Sequence, residues 1–173
     1  MIFALNSSVA MRFLYPFPYR EQIMFASQEY QVDPLLVMAI IYSESHFEES
    51  AASRAGALGL MQIMPETGEW IAARLGYQED FTRDMLLRAD VNLQMGIWYL
   101  AYLNHTFGGS TAQVLAAYNA GEGTVRQWLA GGIWSGDASD IGRIPYRETR
   151  RYVDKVISHY ELYRDLYAVG GSG

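Results

Sequence analysis

One carboxyl, one glutamine and the glycine-rich turn between them are the residues of this chain best spaced for chemistry. Glu44 closes an apolar helical run. Residues 53–65 then read S-R-A-G-A-L-G-L-M-Q-I-M-P, with Gln62 inside a short apolar segment. Such an order suits a carboxyl at the mouth of a groove whose wall is an irregular loop. A carboxyl there is partly desolvated. Burial disfavours its charged form, so its pKa is expected to rise. A carboxyl whose pKa is raised toward neutrality is suited to general acid–base chemistry. A glutamate at a helix end is more often simply solvated, so Glu44 alone defines no site.

The elements that must hold these residues are helical. Asp33-Pro34 is a start signal, with Asp33 as N-cap and Pro34 in the first helical position. In the helix that follows, Leu36, Ile40 and Phe47 lie near one apolar stripe, and Val37, Ile41 and Glu44 stand at helical spacing beside it. Glu44 therefore lies close to the buried face. An earlier helix is expected over about 19–30. Pro65 opens another, over about 66–75, with Gly76 as its stop. Asp90 caps or precedes a longer helix over about 91–107, with Leu93, Ile97, Leu100 and Tyr102 as its apolar surface. Gly108-Gly109 end that helix. Its periodic stripe reads as scaffold.

Thr111 starts a helix that ends in A-A-Y-N-A-G, where small alanines let Tyr118 and Asn119 be held against a neighbour. A short helix is expected over about 124–129, and residues 133–143 read as a loop. I-P-Y at 144–146 opens a last long helix to about residue 167, with Val153, Ile157, Tyr160 and Tyr163 at helical spacing. Alternating strand patterns are scarce, so the fold class is mainly α, in a single domain over 19–167. Residues 1–18 read as a leader or anchor remnant, and 168–173 as a flexible tail.

Composition excludes several classes. The chain has 173 residues, half of them hydrophobic, 18% charged and 14% aromatic, which suits one folded domain. The net charge of −6 gives no basic footprint for nucleic acid. There is no cysteine, and His46, His105 and His159 lack compact ligand spacing, so neither a disulfide framework nor a metal site is expected.

Three separated motifs agree in order and spacing. They are Glu44-Ser45 with Phe47 and residues 53–65, then A-A-Y-N-A-G-E-G at 116–123, then I-P-Y-R-E-T-R-R-Y-V at 144–153. Together they resemble the catalytic domain of the soluble lytic transglycosylases, a goose-lysozyme-like α-helical fold with a substrate groove, and the likeness covers about residues 19–163. The resemblance implies Glu44 as the single catalytic acid and base. It implies Ser53 and Gln62 as contacts to the sugar, and Met61 and Met64 as an apolar wall. Tyr118 and its neighbour Asn119 would lie beside the carboxyl, and Glu148 would be a second acid in the groove. The implied substrate is the glycan strand of peptidoglycan, cleaved without metal or cofactor by a monomer. The implied location is the cell envelope, periplasmic or extracellular, with membrane association through the N-terminus left open. A lysozyme-type muramidase and a wall-binding module without catalysis remain the alternatives.

Overall fold

The computed structural model describes residues 10–167, and the leader's residues 1–9 and the tail at 168–173 lie outside them. Among the described residues, the helices of nine residues or more are α1 (Arg20–Tyr30), α2 (Pro34–Glu44), α3 (Pro65–Leu75), α4 (Ala89–Thr106), α5 (Thr111–Ala120), α6 (Glu122–Ala130) and α7 (Arg147–Tyr167). Short 3-10 turns at Gln78–Asp80, Arg83–Leu87 and Ala138–Arg143 join them, the last within the expected 133–143 loop. Among the described residues, pairing of β type is confined to isolated bridges of Leu58 with Ala52 and Ile63.

The centre of the molecule is α2. Asp33 caps it by accepting the Leu35 N–H at 2.8 Å, and Pro34 fills the first position, where no N–H is required. Val37, Met38, Ala39, Ile40 and Ile41 are all fully buried. Five consecutive buried residues mean that the helix is enclosed on all sides. The single stripe expected from the sequence is corrected accordingly, because neighbouring helices cover the remaining faces. The most extensive packing of α2 is against α7, which presents Thr149, Tyr152, Val153, Val156 and Tyr163 as its buried face.

Helix α3 begins at Pro65 and stops at Gly76, whose φ of 84° is left-handed. Helix α4 starts earlier than its sequence suggested. Asp90 lies inside its first turn and pairs with Arg88 at 2.7 Å. The N-cap position is taken by Arg88, whose guanidinium holds both oxygens of the Asp90 carboxylate. Leu93, Ile97 and Leu100 of α4 are buried as expected, and Tyr102 is half-buried.

Residues 11–17, within the stretch read as a leader, lie along the end of α7. The Tyr15 ring packs on Tyr42, His159 and Tyr163, and Phe17 meets Tyr167 edge-on. Tyr167 donates its hydroxyl to the Tyr15 carbonyl at 2.7 Å, Tyr163 donates to Pro16 at 3.1 Å, and Arg12 donates to the Leu166 carbonyl at 2.8 Å. Among the described residues no helix is long and apolar enough to cross a membrane.

Candidate active site

Glu44 is the last residue of α2, and its half-buried side chain sits among groups from α5 and α7. Burial pushes its carboxyl up to about 7. The Tyr152 hydroxyl and the Lys155 ammonium pull in the opposite direction, and the charge of Glu148 adds to the rise. Lys155 is held in place by donating to the Ser43 carbonyl at 3.0 Å, at the C-terminal end of α2. Tyr152 is buried and its hydroxyl makes no hydrogen bond of ordinary geometry. It lies close enough to Glu44 to act on the carboxyl as a donor. Burial and the charge of Glu44 hold both Tyr118 and Tyr152 well above the usual phenol range, so both remain protonated donors near neutrality.

The wall opposite is the irregular segment 45–64, and its backbone is fixed from behind. Asn92, fully buried on α4, accepts from the Met61 N–H at 2.8 Å. Its amide donates to the carbonyls of Leu58 at 2.9 Å and Leu86 at 2.8 Å. Gly59 has φ +78°, and a Cβ there would come within 2.2 Å of the Leu86 oxygen, so only glycine fits. Ser45, next to Glu44, donates to the Leu60 carbonyl at 2.8 Å. Tyr118 donates to the Met61 carbonyl at 2.8 Å. The wall is thus tied to α2, α4 and α5 at once.

The other expected site residues lie at different depths. Gln62 is left-handed, with φ +49°, and its amide donates to the carbonyls of Ala51 at 3.1 Å and Gly59 at 2.9 Å. The amide oxygen is left as its acceptor. Ser53 accepts the Ala57 N–H at 3.0 Å and keeps its own hydroxyl proton at the surface. Met64 is 36% exposed and lines a cavity of about 260 Å³ together with Gln62, Thr67, Tyr99, Tyr118 and Asn119. Asn119 accepts from the buried Thr149 hydroxyl at 2.7 Å, which joins the second motif to the third. Glu148 is exposed in the first turn of α7.

Met61 departs from its expected place. It is fully buried, and its sulfur lies where a Cβ on Gly96 would stand, 2.4 Å away. It supports the wall from the core and is not part of the wall's surface, because Gly96 opens a socket for it on α4. The one proton of the Tyr118 hydroxyl is committed to the Met61 carbonyl.

Sequence reasoning missed Tyr152, Lys155 and Asn92. Tyr152 and Lys155 stand four and seven residues after Glu148, on neighbouring turns of one helix, and that spacing was the available signal. Asn92, directly before Leu93 on a helix read as scaffold, was a polar residue within an apolar stretch and needed partners once buried.

Fold and site together define a lysozyme-like, goose-type α-helical domain with one half-buried carboxyl facing a braced loop. The chain belongs to the Transglycosylase SLT domain family, whose model matches residues 21–140. It is 33% identical over 151 residues to the soluble lytic murein transglycosylases of Salmonella typhimurium and Escherichia coli, covering 87% of this chain and 23% of theirs. The membrane-bound lytic murein transglycosylase C of Edwardsiella ictaluri is 33% identical over 86% of this chain and 47% of its own. The crystal structure of the 70 kDa soluble lytic transglycosylase of Escherichia coli superposes with a TM-score of 0.84 at 32% identity, covering 92% of this chain and 26% of that one. The chain therefore spans about a quarter to a half of the length of these relatives.

Proposed function

We propose that this domain is a peptidoglycan lytic transglycosylase in which Glu44 is both acid and base. The observation that carries the reading is the Glu44 carboxyl, pushed up to about 7 by burial beside Tyr118, Tyr152 and the braced loop. Support also comes from a relative of the same fold, the lytic transglycosylase Slt of Pseudomonas aeruginosa, whose mutant with glutamine in place of one glutamate is called inactive.

The protonated Glu44 gives its proton to the glycosidic oxygen between N-acetylmuramic acid and N-acetylglucosamine. The C1–O bond breaks, and the 2-acetamido group of the muramic sugar stabilises the positive charge at C1. The ionised Glu44 then removes the proton of the C6 hydroxyl of the same sugar. That oxygen bonds to C1 and closes a 1,6-anhydro ring. No water is consumed, and Glu44 ends protonated as it began. One carboxyl suffices because the substrate supplies the second nucleophilic group. The Gln62 amide oxygen and the Ser53 hydroxyl contact the sugar, with Met64 beneath it. Asn119 and Glu148 line the groove. Peptidoglycan lies outside the cytoplasmic membrane, so the domain works in the cell envelope, as a monomer.

The test is mass spectrometry of muropeptides released from purified peptidoglycan, wild type beside Glu44→Gln. Products with 1,6-anhydromuramic ends, one water lighter than hydrolysed ends and absent with the variant, are expected. Reducing ends would show a muramidase instead. Binding without any products from wild type would show a wall-binding module.

A further inference from the structure

Another concavity shares no lining residue with the cavity beside Tyr118. It is a groove of about 480 Å³ between α1 and the first turns of α4, two helices that pack along one another. Ala26 and Leu93, both buried, form its floor. Phe25 stands over that floor with 73% of its surface exposed. The open ring and the floor together are apolar area left for a partner to remove from water. Nothing in the proposed chemistry uses this face.

The rim is acidic. Glu21, Phe25 and Glu29 follow one another at i, i+4 and i+8, so they share one face of α1, with the ring between the two carboxylates. Eight residues of helix place those carboxylates about 12 Å apart along the axis. Among the described residues no ion pair engages either of them. Arg20, beside Glu21 in sequence, lies instead over the Phe17 ring, 5.3 Å from its centre. Across the groove Asp90 is already paired with Arg88, and Gln22 and Gln94 add exposed amides.

We propose that this groove is a docking surface for an amphipathic helix of a partner polypeptide, one that lays an apolar stripe on Phe25 and carries two basic residues about two turns apart to meet Glu21 and Glu29. The charge pattern selects the partner. A helix rises 1.5 Å per residue, so basic residues seven or eight positions apart span about 10–12 Å, which matches the two carboxylates. An anionic membrane surface would meet those carboxylates with like charge. So would a second copy of this chain, whose net charge is −6. Docking here does not depend on the chemistry proposed for Glu44, because the groove and the cavity at Tyr118 have no residue in common.

The experiment uses the full chain and two labelled synthetic peptides. Both are leucine- and alanine-rich helices of about 18 residues. One carries two arginines seven positions apart beside its leucine stripe, and the other has glutamate in place of both. Binding is read by fluorescence anisotropy. The arginine peptide is expected to bind about tenfold or more tightly than the glutamate peptide, with the difference shrinking at about 0.5 M salt. Phe25→Ala is expected to weaken the arginine peptide about tenfold, and Glu21→Gln combined with Glu29→Gln to weaken it by a similar factor. All three side chains are exposed, so each variant is expected to melt with wild type, which separates lost docking from lost folding. Equal binding of the two peptides, binding of neither, or binding unmoved by Phe25→Ala would overturn the docking surface. Retention of the chain on phosphatidylglycerol vesicles, or a dimer in sedimentation that Phe25→Ala abolishes, would overturn it as well, by giving the ring a different occupant.

Discussion

Glu44 carries an opposition between stability and chemistry. Its native pKa is raised from the ordinary 4.5 to about 7. Below about pH 4.5 the carboxyl is protonated in both folded and unfolded chains and costs nothing. Between those values the folded state holds the extra proton, so stability falls as pH rises, and the full penalty is present above about 7. Glu44→Gln is therefore expected to unfold at higher denaturant than wild type at pH 8, by up to about 2–3 kcal/mol, and to match it at pH 4. Equal stability of the two at pH 8 would contradict the desolvated carboxyl. Lys155 gives a second check at this scale. Its ammonium lowers the Glu44 pKa, so Lys155→Met should raise that pKa and carry the alkaline fall in kcat/KM to higher pH. An unmoved alkaline limb would separate Lys155 from the titration of Glu44.

At the scale of elements, the loop wall depends on α4 through one amide. Asn92 satisfies the Met61 N–H and the carbonyls of Leu58 and Leu86. Asn92→Leu keeps the volume and strands all three, and is expected to cost about 3–5 kcal/mol of unfolding free energy and most of the turnover. A variant of near wild-type stability would mean that the loop is braced elsewhere. The helix boundaries themselves were legible wherever backbone chemistry is local. Asp33-Pro34, Pro65, Gly76 and Gly108-Gly109 each act through their own φ angles or caps, so their effect can be read without the rest of the chain. The desolvation of Glu44 was legible for a related reason, since its place on the helix puts it beside apolar residues. Met61 was not, because an apolar residue in a loop can face either side, and the socket at Gly96 lies 35 residues further along the chain. Asp90 read as a cap because the competing Arg88 depends on a geometry that spacing does not encode.

Across the whole molecule, α2 and α7 form the axis, and residues 11–17 close around its far end. Tyr15 links Tyr42 on α2 to His159 and Tyr163 on α7. Tyr15→Ala is expected to cost about 2–3 kcal/mol and to lower the melting temperature by about 5 °C. A change of less than a degree would show that this segment rests on the domain without supporting it.

The contact between Arg12 and Leu166 has a topological consequence. A chain whose first and last described turns touch can be drawn as a loop, and where that loop is cut is a matter of connectivity more than of packing. Bridging the two ends with a few residues and reopening the backbone at the exposed Gly131-Gly132 turn would leave α2, α7 and the braced wall in their places. The same closure would let the domain hang from a larger polypeptide by a single narrow stalk, with neither α2 nor α7 rearranged around Glu44 and the braced wall.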